Sequence, residues 1–335
     1  MTKTNDRPVA DIVDYLFSTC VIWDGHSGFF PHPKADLSQL HRWRDASVNF
    51  LSVDVGFDVL DWHDAVRNIA ASRSWIEQHS DQFVLVESVH QIHRAKSQGR
   101  LAIAFDLEGS NALDGRVEMV SVYHRLGVRQ MLFAYNRNNL AGGGCHDDDI
   151  GLTSFGAAVV DEMNRIGMFV DVSHCSYRTS MDVMHRSSQP VIFSHSNPRT
   201  LVDHQRNITD EQIRACAATG GLVGVVGLEN FLGDASPETF SDHVCYLADL
   251  IGPEHVGISL DHSFPVDVPE ADEMYQRFPQ YWPASQGYLK PNRSQMHLSD
   301  LKKVAAILIG RGMSDRDLKA IFGGNFLRLA ANIWR

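Results

Sequence analysis

The 335-residue chain carries 30 Lys and Arg against 41 Asp and Glu, a net charge of −11, with 44% hydrophobic and 21% charged residues. That balance argues against nucleic acid or an anionic membrane as partner, since either selects a basic surface, and it fits a soluble globular protein with ample material for a core. The polar start Met1 to Arg7 lacks the apolar stretch of a signal peptide, and no apolar run approaches a membrane span. Cys20, Cys145, Cys175, Cys216 and Cys245 are odd in number and contain no C-x-x-C pair, so reduced thiols in a cytoplasmic protein are expected.

Apolar runs alternating with amphipathic stretches predict eight strands: Cys20 to Asp24, Val48 to Val53, Leu101 to Leu107, Gln130 to Tyr135, Met168 to Val172, Val191 to Ser194, Gly221 to Gly227 and Val256 to Leu260. Helices are expected over Val59 to His79, Val117 to Leu126, Phe155 to Ile166, Ser176 to His185, Asp210 to Ala218 and Pro237 to Leu250. Eight such alternations imply a (β/α)8 TIM-type barrel, a single domain over residues 1–335. An open doubly wound sheet is the competing fold, but the chain has no G-x-G-x-x-G or P-loop. A long Pro- and aromatic-rich segment, Phe264 to Pro291, follows the eighth strand and reads equally as a pocket wall or lid and as an arm packing on a neighbouring subunit. Leu298 to Trp334 is expected to be helical again, with a turn at Gly323-Gly324-Asn325.

The chemistry lies at strand ends. His174 closes Met168-Phe169-Val170-Asp171-Val172-Ser173-His174, His195 closes Pro190-Val191-Ile192-Phe193-Ser194-His195, His26 follows Trp23-Asp24-Gly25, and Glu108 ends Leu101 to Leu107. The C-terminal face of a barrel is where catalytic side chains collect, and three histidines with a glutamate suit zinc. Cys175 and His262 should face away from the site by strand alternation. His146 with Asp147, Asp148 and Asp149 is expected to form an exposed acidic loop rather than to join the metal. His63, His79, His90, His93, His124 and His185 fall on expected helices and read as ordinary surface or core residues.

Asp24-Gly25-His26, Glu108-Gly109, Asn136 to Asn139, Asp171-Val172-Ser173-His174, Ser194-His195-Ser196, Arg206-Asn207, Asp261 and Gly324-Asn325-Phe326-Leu327-Arg328, in this order, resemble the membrane (renal) dipeptidase family of zinc peptidases over nearly the whole chain. The resemblance implies an amidohydrolase-type barrel and two zinc ions bridged by Glu108. By the same resemblance His26 matches a ligand of the first metal, and His174 and His195 match ligands of the second. It places Asp261 beside the metals as proton carrier, gives Arg206 the substrate's terminal carboxylate, and implies a homodimer. Two positions depart from the pattern. Gly28 stands where the motif D-G-H-x-D has its last aspartate, which leaves one tightly held Zn2+ and a second loose or absent. Tyr135 stands where the family usually has a carbonyl-polarising histidine, and its hydroxyl is a hydrogen-bond donor but not a cation.

The expected activity is zinc-dependent hydrolysis of a dipeptide or dipeptide-like small amide. The alternatives are a mononuclear hydrolase of a cyclic amide or modified amino acid, and a binding protein on a hydrolase scaffold that has lost catalysis.

Overall fold

The computed structural model describes residues 7–27, 31–263, 269–290 and 293–335. Nine parallel strands form one sheet: β1 Trp23–Ser27, β2 Phe50–Phe57, β3 Phe83–Leu85, β4 Leu101–Glu108, β5 Val128–Leu132, β6 Phe169–Asp171, β7 Val191–Phe193, β8 Leu222–Val225 and β9 Val256–Ile258. Eight of them run in the order β1-β2-β4-β5-β6-β7-β8-β9 with helices between, which is the expected nearly closed (β/α)8 barrel. The seam between β9 and β1 is stitched by Asp24, whose carboxylate accepts from Leu260 N (2.8 Å) and Trp43 Nε1 (2.8 Å), and by Asp261 N donating to His26 O (3.2 Å).

The extra strand, β3, falls outside the expected set because three residues are too few to show a period. β4 has room for it: one edge pairs with β2, while the other pairs with β3 over Leu101–Ile103 and with β5 over Phe105–Leu107. β1 lies three residues later than expected. Cys20 caps the helix Val9–Thr19, and the strand runs on through Gly25, where a Cβ would lie 2.6 Å from the Phe326 ring. The helices Val9–Thr19 and Val89–Ser97 also fall outside the expected set.

Alternation along the strands sorts the barrel interior into layers. Leu101, Ile103, Phe105 and Leu107 of β4 join the large core beneath the helices, whereas Ala102 and Ala104 join a second core with Trp23, Phe50, Phe169, Ile192 and Leu222. This interior core is plugged from below by the last helix, Asn325–Ile333. Trp23 stacks on Phe50 (centroids 3.6 Å) and on Phe326 (5.2 Å). One step up, the inward positions turn polar, with Ser52, Asp106, Gln130, Asp171 and Ser194, all buried. Above them stand the strand-end residues.

The segment after β9 forms a helix, Pro269–Arg277, and short turns at Pro279–Tyr281 and Ala284–Gln286. Trp282 and Tyr288 from it pack with Phe57, Val226 and Phe231 into a third cluster at the barrel mouth. The described part of this segment thus packs as a wall on its own barrel. No described helix is long and apolar enough to cross a membrane.

Because the Phe326 ring closes the barrel floor with no solvent exposure, Phe326→Ala is expected to destabilise the protein by about 3–5 kcal/mol. Chemical unfolding measures this, and a cost below about 1 kcal/mol would show that the floor does not depend on the plug.

Candidate metal and catalytic centre

The four strand-end residues meet at one point. Glu108 Oε1 lies 3.5 Å from His26 Nε2, 3.2 Å from His174 Nε2 and 3.1 Å from His195 Nε2, and the two latter nitrogens are 3.0 Å apart. Asp261 Oδ1 stands 3.7 Å from His26 Nε2. Three side chains of this group, His26, Glu108 and His195, bring one ligand atom each within 4.8 Å of the others. Ligands of a tetrahedral ion bound at about 2.0–2.1 Å stand roughly 3.3 Å from one another, so these spacings suit a metal.

Hydrogen bonds on the far nitrogens decide what the near ones offer. His26 Nδ1 donates to Asp106 Oδ1 (3.1 Å), and Asp106 is held by Ser52 Oγ (2.5 Å). His174 Nδ1 donates to Asn136 Oδ1 (2.7 Å), whose amide nitrogen is committed to Tyr281 O (2.8 Å). His195 Nδ1 donates to Ser194 Oγ (2.6 Å), since the Ser194 hydroxyl proton is given to Asp171. With Nδ1 protonated, the neutral rings of His174 and His195 present Nε2 lone pairs to the centre, and His26 does so once it gives up its second proton. Two such nitrogens 3.0 Å apart beside a carboxylate repel unless a cation lies among them. The donor set therefore fits a metal ion, with His26, Glu108, His174 and His195 as its holders.

The surroundings agree. Burial, with the charges of Arg206 and His26, holds His174 and His195 well below the ordinary imidazole range, so both are neutral and ready to ligate. Burial also opposes charge on His26, but the fields of Asp106, Glu108 and Asp261 outweigh it and raise its pKa well above the usual value, so binding there displaces a proton.

The backbone is bent to make this centre. Asn136, His174 and Asp261 have φ of 61°, 61° and 52°, a left-handed conformation that L-residues avoid. Strain of this kind collects at functional sites, and here it turns three side chains into the barrel mouth just beyond their strands. Next to Glu108, Gly109 at φ 130° leaves room for the Asp58 carboxylate, which binds Tyr135 N (2.9 Å) and Asn111 N (2.9 Å).

Tyr135 leans over His174, with ring centroids 4.4 Å apart, and its hydroxyl accepts from Trp282 Nε1 at 3.0 Å. Arg206 is buried; Nη1 donates to Ser196 Oγ (2.8 Å), Nη2 to His195 O (2.6 Å), and Nε has no partner among the described residues. Asp261 is also buried, which raises its pKa above the usual carboxylate value despite the opposing charges of His26 and Arg206.

All seven expected site residues thus converge, while position 28 lies outside the described residues. Cys175 is buried in the main core and His262 binds Met296 O (3.0 Å), both facing away as expected. His146 is a correction to the sequence reading. It is not on an exposed loop but buried in the pocket wall, bonded through Nδ1 to Gln205 Oε1 (3.0 Å) and through Nε2 to Tyr288 OH (2.9 Å). Asp147 pairs with Arg137 (3.1 Å), and only Asp148 and Asp149 are exposed. Asp106, Asp171, Ser52, Ser194, Trp282 and Tyr288 escaped the sequence reading as working parts. For the first four a signal existed, because a polar residue inside an apolar strand needs a buried partner.

A family profile described as membrane dipeptidase, peptidase family M19, matches residues 33–278, well over half of the chain. The chain belongs to the membrane dipeptidase family. Dipeptidase verJ of Clonostachys rogersoniana is 30% identical over 298 residues, 87% of this chain and 69% of that protein. An uncharacterized dipeptidase of Schizosaccharomyces pombe is 29% identical over 245 residues, 69% of this chain; the matched region is 58% of the yeast protein's length. Among solved structures, an amidohydrolase from Pseudomonas aeruginosa superposes with a TM-score of 0.85 at 26% identity, covering 96% of this chain and 99% of that one. A metallopeptidase from Rhodobacter sphaeroides, liganded with a phosphinate mimic of the dipeptide L-Ala-D-Ala, shares the fold at a TM-score of 0.75 and 18% identity, covering 94% and 100% of the two chains. In this member of the family the chemistry of the donor set and the family point the same way, to a dipeptidase-type metallohydrolase.

The role given to the far-nitrogen bonds is open to measurement. Ser194→Ala removes the oxygen that holds the His195 Nδ1 proton, and Zn2+ affinity in a chelator competition is expected to fall about 10–100-fold. A dissociation constant within about twofold of wild type would mean that packing alone orients His195.

Proposed function

We propose that the protein hydrolyses a dipeptide or dipeptide-like small amide with Zn2+ as cofactor. The observation that supports this most is the convergence of three imidazole Nε2 atoms on Glu108 beside a buried arginine with an unused N–H. Bound zinc lowers the pKa of water to about 7 and polarises a carbonyl oxygen.

The chain's own residues supply the rest. Arg206 is fixed by Ser196 Oγ and His195 O, and an unpartnered buried donor costs about 1–3 kcal/mol, which a substrate carboxylate would recover. Burial and the Glu108 charge keep the Tyr135 phenol protonated, so it can donate a hydrogen bond to a carbonyl oxygen as that oxygen becomes negative. Asp261, with its raised pKa, accepts the proton of the attacking water and returns it to the leaving amine.

One tightly held zinc per chain is the proposed stoichiometry. The compact triad His26, Glu108 and His195 supports it, and so does Gly28, which has no side chain to add a ligand. Elemental analysis after a brief chelator wash is expected to find one zinc per chain, and full removal should abolish dipeptide hydrolysis until zinc is restored. Two wash-resistant ions would overturn the stoichiometry, and undiminished activity in the zinc-free protein would overturn the mechanism.

The carboxylate role of Arg206 is tested with a cleaved dipeptide and its C-terminal amide. A lost charge-assisted pair costs about 1.5–3 kcal/mol, so amidation should lower kcat/KM about 10- to 100-fold in the wild type. Little further loss is expected on amidation in Arg206→Ala. Equal turnover of both forms by the wild type would remove Arg206 from this role.

A further inference from the structure

The segment after β9 touches the proposed carbonyl-binding residue through one directional bond, Trp282 Nε1 to Tyr135 OH at 3.0 Å. An indole N–H can only donate, so the phenol oxygen is the acceptor, and the single phenol proton is left for another partner. The indole is held firmly. It is buried, stands 4.6 Å from the Tyr275 ring centroid, and meets Phe57 and Tyr135 at 6.1 Å each in edge-on contacts. The phenol is equally constrained, by Asp58 on its backbone N–H, by Phe57 at 5.5 Å and by His174 at 4.4 Å. The hydroxyl is therefore the one part of Tyr135 with rotational freedom, and Trp282 removes it.

We propose that Trp282 is a positioning residue for catalysis: by donating to the Tyr135 oxygen it fixes the hydroxyl so that its proton is presented to the substrate carbonyl. A donated hydrogen bond also polarises the phenol and makes its O–H a better donor in turn. This compensates for the phenol's lack of a charge with which to polarise a carbonyl. A neutral phenol among buried groups, facing Glu108, is a weak donor unless something draws charge from its oxygen. The proposal rests on the reading of Tyr135 under Proposed function, and it gives the aromatic segment a task besides walling the site.

The test compares wild type, Trp282→Phe, Tyr135→Phe and the double variant, all zinc-loaded. Trp282→Phe keeps the apolar ring and deletes the N–H. Its kcat on a cleaved dipeptide is expected to fall about three- to tenfold, with KM and zinc content unchanged. Tyr135→Phe should fall further, and the double variant should match Tyr135→Phe, since without the hydroxyl Trp282 has nothing to position. A wild-type kcat in Trp282→Phe, or its full loss persisting on the Tyr135→Phe background, would overturn the proposal and leave Trp282 a wall residue. A wild-type kcat in Tyr135→Phe would instead overturn the Tyr135 reading itself. A measurement without substrate stands beside these: the indole N–H resonance of Trp282, identified by its absence in Trp282→Phe, should shift in Tyr135→Phe. An unmoved resonance means the bond does not exist in solution and refutes the proposal.

Discussion

Three imidazole Nε2 atoms directed at one carboxylate oxygen are the constraint around which this barrel is organised. The His174 and His195 lone pairs, 3.0 Å apart, repel each other unless a cation lies between them, and the fold holds the rings from behind. Each ring is gripped through Nδ1 by a different device: a carboxylate for His26, an amide for His174, and a hydroxyl backed by a carboxylate for His195. These grips cost buried polar groups, and the barrel accommodates them by layering. Apolar residues fill the floor, a hydrogen-bonded polar tier lies above it, and the ligands stand on that tier.

The layering explains how much was legible in the sequence. The eight barrel strands follow from short apolar runs, and the four metal-facing residues from the His or Glu that ends four of them, because the end of a barrel strand leaves little choice of destination. The polar tier was present in the same runs as Ser52, Asp106, Asp171 and Ser194. A buried polar side chain announces only that it needs a partner, however, and the partner comes from another strand: Asp106 from β4 serves His26 from β1. The left-handed turns at Asn136, His174 and Asp261 had only a weak signal: none of these residues is glycine, although Asn, His and Asp enter this conformation more readily than other side chains. β3 was hidden by its length.

His146 shows the opposite failure. Its neighbours Asp147, Asp148 and Asp149 make the loop look solvated, and two of the three are indeed exposed. The histidine itself turns inward because Tyr288, more than a hundred residues later, offers a hydroxyl in the pocket wall. Composition averages over a loop, whereas burial is decided side chain by side chain. The same long reach applies to Tyr281, Trp282 and Gln286, which meet Asn136, Tyr135 and His204.

These contacts make the segment after β9 part of the active centre rather than a cover laid over it. Tyr281 O orients the Asn136 amide, and that orientation is what makes Asn136 an acceptor for His174. Trp282 reaches Tyr135, and Tyr288 reaches His146 across from Arg206. One short stretch of chain therefore touches the metal-ligand side, the carbonyl side and the carboxylate side of the proposed substrate position. A wall wired in this way couples those functions: displacing it would loosen a ligand, free a hydroxyl and open the carboxylate pocket together. The polar tier of the barrel directs His26 and His195, and the aromatic segment adds the hydrogen-bond directions of Asn136, Tyr135 and His146.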